Sequence, residues 1–148
     1  MSNVFPDCLR FAGLLYAIDS APLEPYLASL STQPPRRITP FSQRGYVATW
    51  TIYEGTLYLS DITSRDHAML FAHAGAPVAA SWFSGFIRGW RGDGRRTGPT
   101  ARKFWDDEIV LEVVAGRVAR EWRLDLRAVP DQTSEERYQS LPAFFFRP

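Results

Sequence analysis

Apolar and polar residues alternate most regularly over residues 44–62, RGYVATWTIYEGTLYLSDI. In the first arm Tyr46, Ala48, Trp50 and Ile52 fall on one side, and Val47, Thr49, Thr51 and Tyr53 on the other. A period of two is the signature of a strand, because successive side chains point to opposite faces of a sheet. Glu54-Gly55 supplies a residue that takes positive φ freely, so the chain is expected to reverse there. In the return arm Leu57 and Leu59 oppose Thr56, Tyr58 and Ser60. The pattern predicts a hairpin with Trp50 packed in a core and Tyr53 and Tyr58 on the opposite face.

A second hairpin is predicted further on. EIVLEVV (108–114), the turn Ala115-Gly116 and RVAREWRLDLR (117–127) place Val118, Trp122, Leu124 and Leu126 on one side, with Ala119, Glu121, Arg123, Asp125 and Arg127 on the other. One face is expected to meet the core and one to meet water, as in an antiparallel sheet. The apolar run CLRFAGLLYAI (8–18) predicts a buried first strand, with a helix left open by periodicity alone. PVAASWFSGFIRGW (77–90) reads as one long strand or two bent at Gly85.

Short helices are expected at PLEPYLASL (22–30), where a proline suits a first turn, and at SRDHAMLFAHAG (64–75), with Ser64 as cap and Gly75 as stop. Thr133 with Glu136 resembles a capping box opening a third. STQPPRRITP (31–40) is a proline-rich connection and RGDGRRTGP (91–99) a glycine- and arginine-rich loop. The sum is a mainly β or α+β protein: one curled antiparallel sheet of six to seven strands with up to three short helices, tending toward a half-barrel. No internal repeat or linker divides it, so residues 1–148 are read as a single domain.

Composition adds to this picture in three places. A hydrophobic fraction of 45% and a charged fraction of 22% fit a globular chain, and five Trp among 14% aromatics favour a β-rich core. The net charge of +1 gives no long-range field to draw nucleic acid or an anionic membrane, which disfavours both as partners. Cys8 is the single cysteine, the start MSNVFPDCLRF lacks the basic and apolar regions of a signal peptide, and no stretch has the length of a membrane span. A cytoplasmic location is therefore the expectation.

RGYVATWTIYEGTLYLSDI and the later SWFSGFIRG resemble a loosely defined group of small bacterial proteins with no known activity. That group has a similar Arg-Gly-Tyr…Ala-Thr-Trp hairpin, a Leu-Tyr-Leu return strand and a Trp-Phe-x-Gly-x-Ile-Arg strand. The resemblance covers about residues 44–62 and 82–88. It implies a bacterial source and a common fold, and it transfers no catalytic residue.

His67 and His73, the two histidines, are six residues apart. On a helix that spacing rotates them by about 240°, away from the shared face a metal pair needs. Cys8 meets either only through the fold, and Ser81 and Ser84 lack the G-x-S-x-G elbow of a hydrolase. No metal, cofactor or catalytic residue is expected.

Asp106-Asp107-Glu108 read as a solvated cluster at the start of a strand, compensating the basic segment before it. Residues 84–103 carry six basic groups against Asp93. This segment mixes Trp90 with Arg88, Arg91, Arg95, Arg96, Arg102 and Lys103, as single-strand nucleic-acid sites do. The phosphate-loop spacings are missing, and a solvated loop is the simpler reading. Arg91-Gly92-Asp93 is a chance tripeptide on the same view. Phe144-Phe145-Phe146 cannot all share one strand face, which favours a partner or a homodimer.

What remains is recognition by surface. Arg88, Trp90, Arg91, Asp93, Arg95, Arg96 and Phe145 are the candidate partner-binding residues, aromatic and arginine anchors being the types enriched in interface hot spots. The expected function is a non-enzymatic bacterial binding protein, most concretely an immunity protein that occludes a cognate toxin. The alternative is a small-ligand-binding protein or enzyme with a pocket in the curled sheet.

Overall fold

Among the described residues eight strands form a single sheet, and seven of them close on themselves as a barrel. The structure is a computed structural model that describes residues 5–37, 44–72, 77–96 and 103–125, the side chains of residues 95, 96, 103 and 104 excepted. The strands are β1 (Cys8–Phe11), β2 (Leu14–Ile18), β3 (Ala48–Tyr53), β4 (Thr56–Ile62), β5 (Val78–Ala79), β6 (Gly85–Arg96), β7 (Lys103–Val114) and β8 (Arg117–Asp125). Helix α1 (Glu24–Ala28) follows β2, and α2 (Arg65–Ala68) runs into a 3₁₀ turn at Met69–Phe71 after β4. The strand order is β3-β1-β2-β6-β7-β8-β4, β4 pairs back to β3, and β5 lies beside β4. The mainly β reading holds. Among the described strands every pairing is antiparallel except β1 with β3, which is parallel.

Three hairpins use the same local device. Ala12-Gly13, Glu54-Gly55 and Ala115-Gly116 each place two successive residues at positive φ, as a two-residue type I′ turn requires. The first of these splits the apolar run 8–18, expected as one strand, into β1 and β2. Gly116 does more than turn the chain. A Cβ there would lie 2.7 Å from the Ala80 carbonyl oxygen, and its own amide and carbonyl bond to Phe83 and Leu57 at 2.8 Å. The turn is thus wedged where β8 reaches β4.

The alternation in β3 and β4 is realised as expected. Trp50, Ala48, Leu57 and Leu59 point inward and are buried, with Tyr46 just before the strand, while Tyr53 stands in solvent on the outer face. Leu9, Ile18, Ile87, Ile109 and Leu111 fill the barrel around Trp50, and Leu23 and Leu27 of α1 complete the core. A barrel of seven strands is narrow enough to be filled by its own side chains.

β8 departs from the expected pattern. A bulge shifts the register between Glu112 and Val113, so Val118 still pairs with inward Val113. Beyond the bulge Arg120, Trp122 and Leu124 pair with Glu112, Val110 and Glu108 on the outer face. One extra residue reverses the phase of a period-two pattern. Trp122 and Leu124 therefore leave the core face, and Arg123 takes the inward side, its guanidinium 4.7 Å from the Phe11 ring.

Residues 91–96 also differ from expectation: they extend β6 and pair with β7, where a surface loop was expected. Ser64 does cap α2, accepting from the His67 amide. Leu126, the capping box at Thr133 and Phe144–Phe146 lie outside the described residues.

The closure of the barrel is held by a buried carboxylate. Asp7 is 1% exposed, and its Oδ1 accepts from the Ala48 amide at 3.0 Å and Arg44 Nη2 at 2.9 Å. Oδ2 accepts from Trp50 Nε1 at 3.0 Å, and the Asp7 carbonyl accepts from the Ile18 amide at 3.0 Å. One residue thereby ties the start of β1 to β2 and β3 and orients the central indole. Asp7→Ala strands the Ala48 amide, the Trp50 indole and the Arg44 guanidinium, and is expected to cost about 3–5 kcal/mol in urea unfolding, whereas Asp61→Ala on the exposed side of β4 stays within about 0.5 kcal/mol. In the same assay Gly55→Ala, with open space around its Cβ, is expected to cost about 1 kcal/mol, and Gly116→Ala about 3 kcal/mol.

Candidate binding surface

The outer face of β6, β7 and β8 gathers what the linear sequence keeps apart. Direct cross-strand pairing lays out three rows: Phe86, Glu112 and Arg120; Arg88, Val110 and Trp122; Trp90, Glu108 and Leu124. Trp105 stacks on Trp90 with centroids 5.5 Å apart and planes inclined by 22°. The Arg120 guanidinium lies 5.1 Å from the Trp122 ring. Three of the five tryptophans thus stand on one outer face. Only Trp50 occupies the barrel interior, with Trp82 packed against the core and bonded to the Pro22 carbonyl at 2.8 Å.

This face has a buried floor. Val110 and Glu108 are 0% and 1% exposed, and Glu108 Oε2 accepts from the Trp105 amide at 3.0 Å. Glu108 Oε1 lies 3.4 Å from Arg88 Nε, within ion-pair range. That nitrogen is buried and makes no hydrogen bond, so the contact is a charge pairing without directed geometry. The acids were expected as a solvated edge cluster. They belong instead to β7, which is paired on both sides, and each meets a specific partner. Asp107 Oδ2 binds Arg91 Nη1 at 2.7 Å, and Asp106 Oδ2 accepts from the Asp93 amide at 3.0 Å. Charge compensation does pair the basic segment with the acidic one, but within the sheet.

The predicted site residues divide. Arg88 and Trp90 share the outer face. Arg91 pairs with Asp107 on the opposite, inward face near Tyr16, whose phenol is pushed up by burial and then by Asp107, partly offset by Arg91 and Arg123. Asp93 sits in a bulge between Arg91 and Gly94 that Asp106 clamps, so Arg91-Gly92-Asp93 is an irregularity of a paired strand. Arg95 and Arg96 have their backbones in β6 opposite Phe104 and Lys103. Phe145 is outside the described residues. Trp105, Trp122 and Glu108 were not singled out for this surface; the register of the sheet assembles them.

Cys8, Tyr46 and Glu24 are each held in one protonation state near neutrality. Burial, followed by the Asp7 charge, raises the Cys8 thiol, which keeps it protonated near neutrality. Tyr46 donates to Glu24 Oε2 at 2.6 Å, and burial and that bond push its phenol far up. Glu24 also takes both Arg36 terminal nitrogens, at 3.0 and 3.2 Å. Burial raises its carboxyl, but the bonds to Arg36 and Tyr46 outweigh it and leave Glu24 below the usual range. Among the described residues no group of three or more His, Cys, Asp or Glu side chains is placed to hold a metal, and no helix is long and apolar enough to cross a membrane. His73 lies outside the described residues.

A shallow groove of about 650 Å³ runs along the outer wall of β3 and β4, lined by Thr51, Tyr53, Tyr58, Ser60 and Pro77. Comparison with protein-family models, with curated proteins and with solved structures returned no match. The tryptophan face stands on its own geometry. Arg88→Met exposes the dependence of the buried Glu108 on its cation and is expected to cost about 2–3 kcal/mol in urea unfolding. Adding Glu108→Gln is expected to recover at least about 1 kcal/mol of that loss, a coupling that a double-mutant cycle reads directly.

Proposed function

We propose that the protein is a non-enzymatic binding protein that uses the outer face of β6–β8 to engage a protein partner. The carrying observation is the concentration of Trp90, Trp105 and Trp122 with Arg88 and Arg120 on that face, beside Phe86, which is 39% exposed. Tryptophan and arginine supply large contact areas and directed polar contacts, and dominate binding energy where they cluster. A sheet buttressed by a filled barrel is also rigid, so little ordering entropy opposes association.

The concrete version is an immunity protein in the bacterial cytoplasm that blocks a cognate toxin by seating this face in its cleft. The support is the combination of a rigid aromatic and arginine surface with titratable groups held quiet by burial and pairing. A second reading, a small-ligand binder, draws on the groove along β3 and β4 with its two tyrosines and two hydroxyl side chains. In that reading the ligand sits on the outside wall, because Trp50 and its neighbours fill the interior.

The two readings are separated by affinity capture from the host followed by reconstitution with the purified partner. Wild-type protein is expected to retain one partner stoichiometrically. Phe86→Asp and Arg120→Glu are expected to weaken it at least about tenfold each, as substitutions at anchor positions do. Tyr53→Ala, on the other wall, is expected to leave affinity unchanged. Thermal stabilisation by a metabolite, abolished by Tyr53→Ala, with no protein retained, overturns the first reading in favour of the second.

A further inference from the structure

His67 is buried in full, the one such residue of α2. Its ring packs against Tyr46 with centroids 4.9 Å apart. Nδ1 lies 2.8 Å from Ser64 Oγ, the same oxygen that accepts from the His67 amide to cap the helix. Nε2 is buried and has no hydrogen-bond partner. Whichever tautomer is present, one ring nitrogen bonds to the capping hydroxyl and the other is buried without a protein partner.

Among the described residues, the charged groups around the ring come from α1, from α2 and from the segments after α1 and before β3. α1 contributes Glu24, already committed to Tyr46 and Arg36. The segment after α1 contributes Arg36 itself. Arg44 lies 4.9 Å from the far partner, the Tyr46 ring. α2 contributes Asp66, paired with Arg37 at 3.3 Å. A second proton on the imidazole would add a charged donor with no acceptor, next to a guanidinium.

We propose that His67 is an acid-released latch, which pins residues 64–72 against the aromatic end of the barrel near neutrality and frees them as the pH falls. The segment it pins has cover to give up. Phe71 stacks on Trp82 at 6.1 Å and reaches Tyr26 at 5.2 Å, and with Ala68 it walls an apolar groove of about 290 Å³ against Leu59, Ile62 and Val78. Release uncovers this surface while the barrel, closed by its own strand pairing, stays intact. Opening of this kind is local, because the segment is a one-turn helix followed by a 3₁₀ turn outside the strands of the barrel.

Linkage gives the direction. Burial first, then Arg36, lowers the closed-state pKa below the ordinary 6.5, against the weaker pull of Asp66 and Glu24. The closed form is therefore fully favoured above 6.5 and loses ground as the pH falls below it, until the lower closed-state value is passed.

Hydrogen exchange on the full chain, corrected for intrinsic rates, tests the latch. From about pH 7.5 to 5.5, protection over 64–72 is expected to fall by up to about tenfold per pH unit below 6.5, with β7 amides unchanged. His67→Phe is expected to abolish the dependence and His73→Gln to leave it. An NMR titration of the wild-type imidazole, expected to give a value below 6.5, decides the matter if His67→Phe does not fold. The latch is overturned by constant protection over 64–72, by β7 losing protection in step, by persistence in His67→Phe, or by His67 titrating at 6.5 or above.

Discussion

A carboxylate sealed inside a narrow barrel needs every lone pair directed, and Asp7 meets that need by drawing donors from far along the chain. Arg44, the Ala48 amide and the Trp50 indole converge on its two oxygens, while its backbone carbonyl holds the Ile18 amide. The only parallel pairing among the described strands, β1 with β3, begins immediately beside it. Parallel neighbours need a long crossover, and here it contains β2, α1 and the proline-rich connection. Local turns cannot specify that closure, so a buried polar contact of high directionality does. The same contact orients the Trp50 indole, around which the apolar side chains of the core pack.

With the interior taken up in this way, the distribution of large aromatics becomes informative. A tryptophan on the outer face of a filled barrel contributes nothing to the central core. Three of the five are nevertheless there, over a floor of Val110 and the Arg88–Glu108 pair. An ion pair with one member fully buried is weak support for stability, since desolvation offsets attraction. It does impose specificity, because only one relative position of β6 and β7 lets the carboxylate meet its guanidinium. The same register brings Trp90, Trp105 and Trp122 together, so the floor and the surface are set by one decision.

The polar network at the other end works in the opposite sense. Tyr46, Glu24 and Arg36 satisfy one another and leave no proton poised for transfer near neutrality. Among the described residues of that neighbourhood, His67 has a buried atom unsatisfied. His67 lies under the short segment of α2 and the 3₁₀ turn that follows it.

Strand existence, the inward face of β3 and β4, the hairpin reversal at Glu54-Gly55 and the Ser64 cap were all legible in the chain, because each depends on neighbours within a few residues. The division of residues 8–18 was less so, since Ala12 at positive φ gives no signal of its own beyond the glycine that follows. The face of Trp122 was misread for a definite reason: the bulge opposite Glu112 and Val113 adds one residue to β8 and reverses the alternation after Val118. The basic segment looked like a loop because glycines and arginines have low strand preference, yet Asp106 and β7 supply the partners that make it a strand. Sequence alone determined most of the strands and the turns at Glu54-Gly55 and Ala115-Gly116, since periodicity and positive-φ residues act locally. Tertiary structure decided the barrel closure, the outer tryptophan face and the role of Asp7, because register and the satisfaction of buried charge arise between segments far apart in the chain.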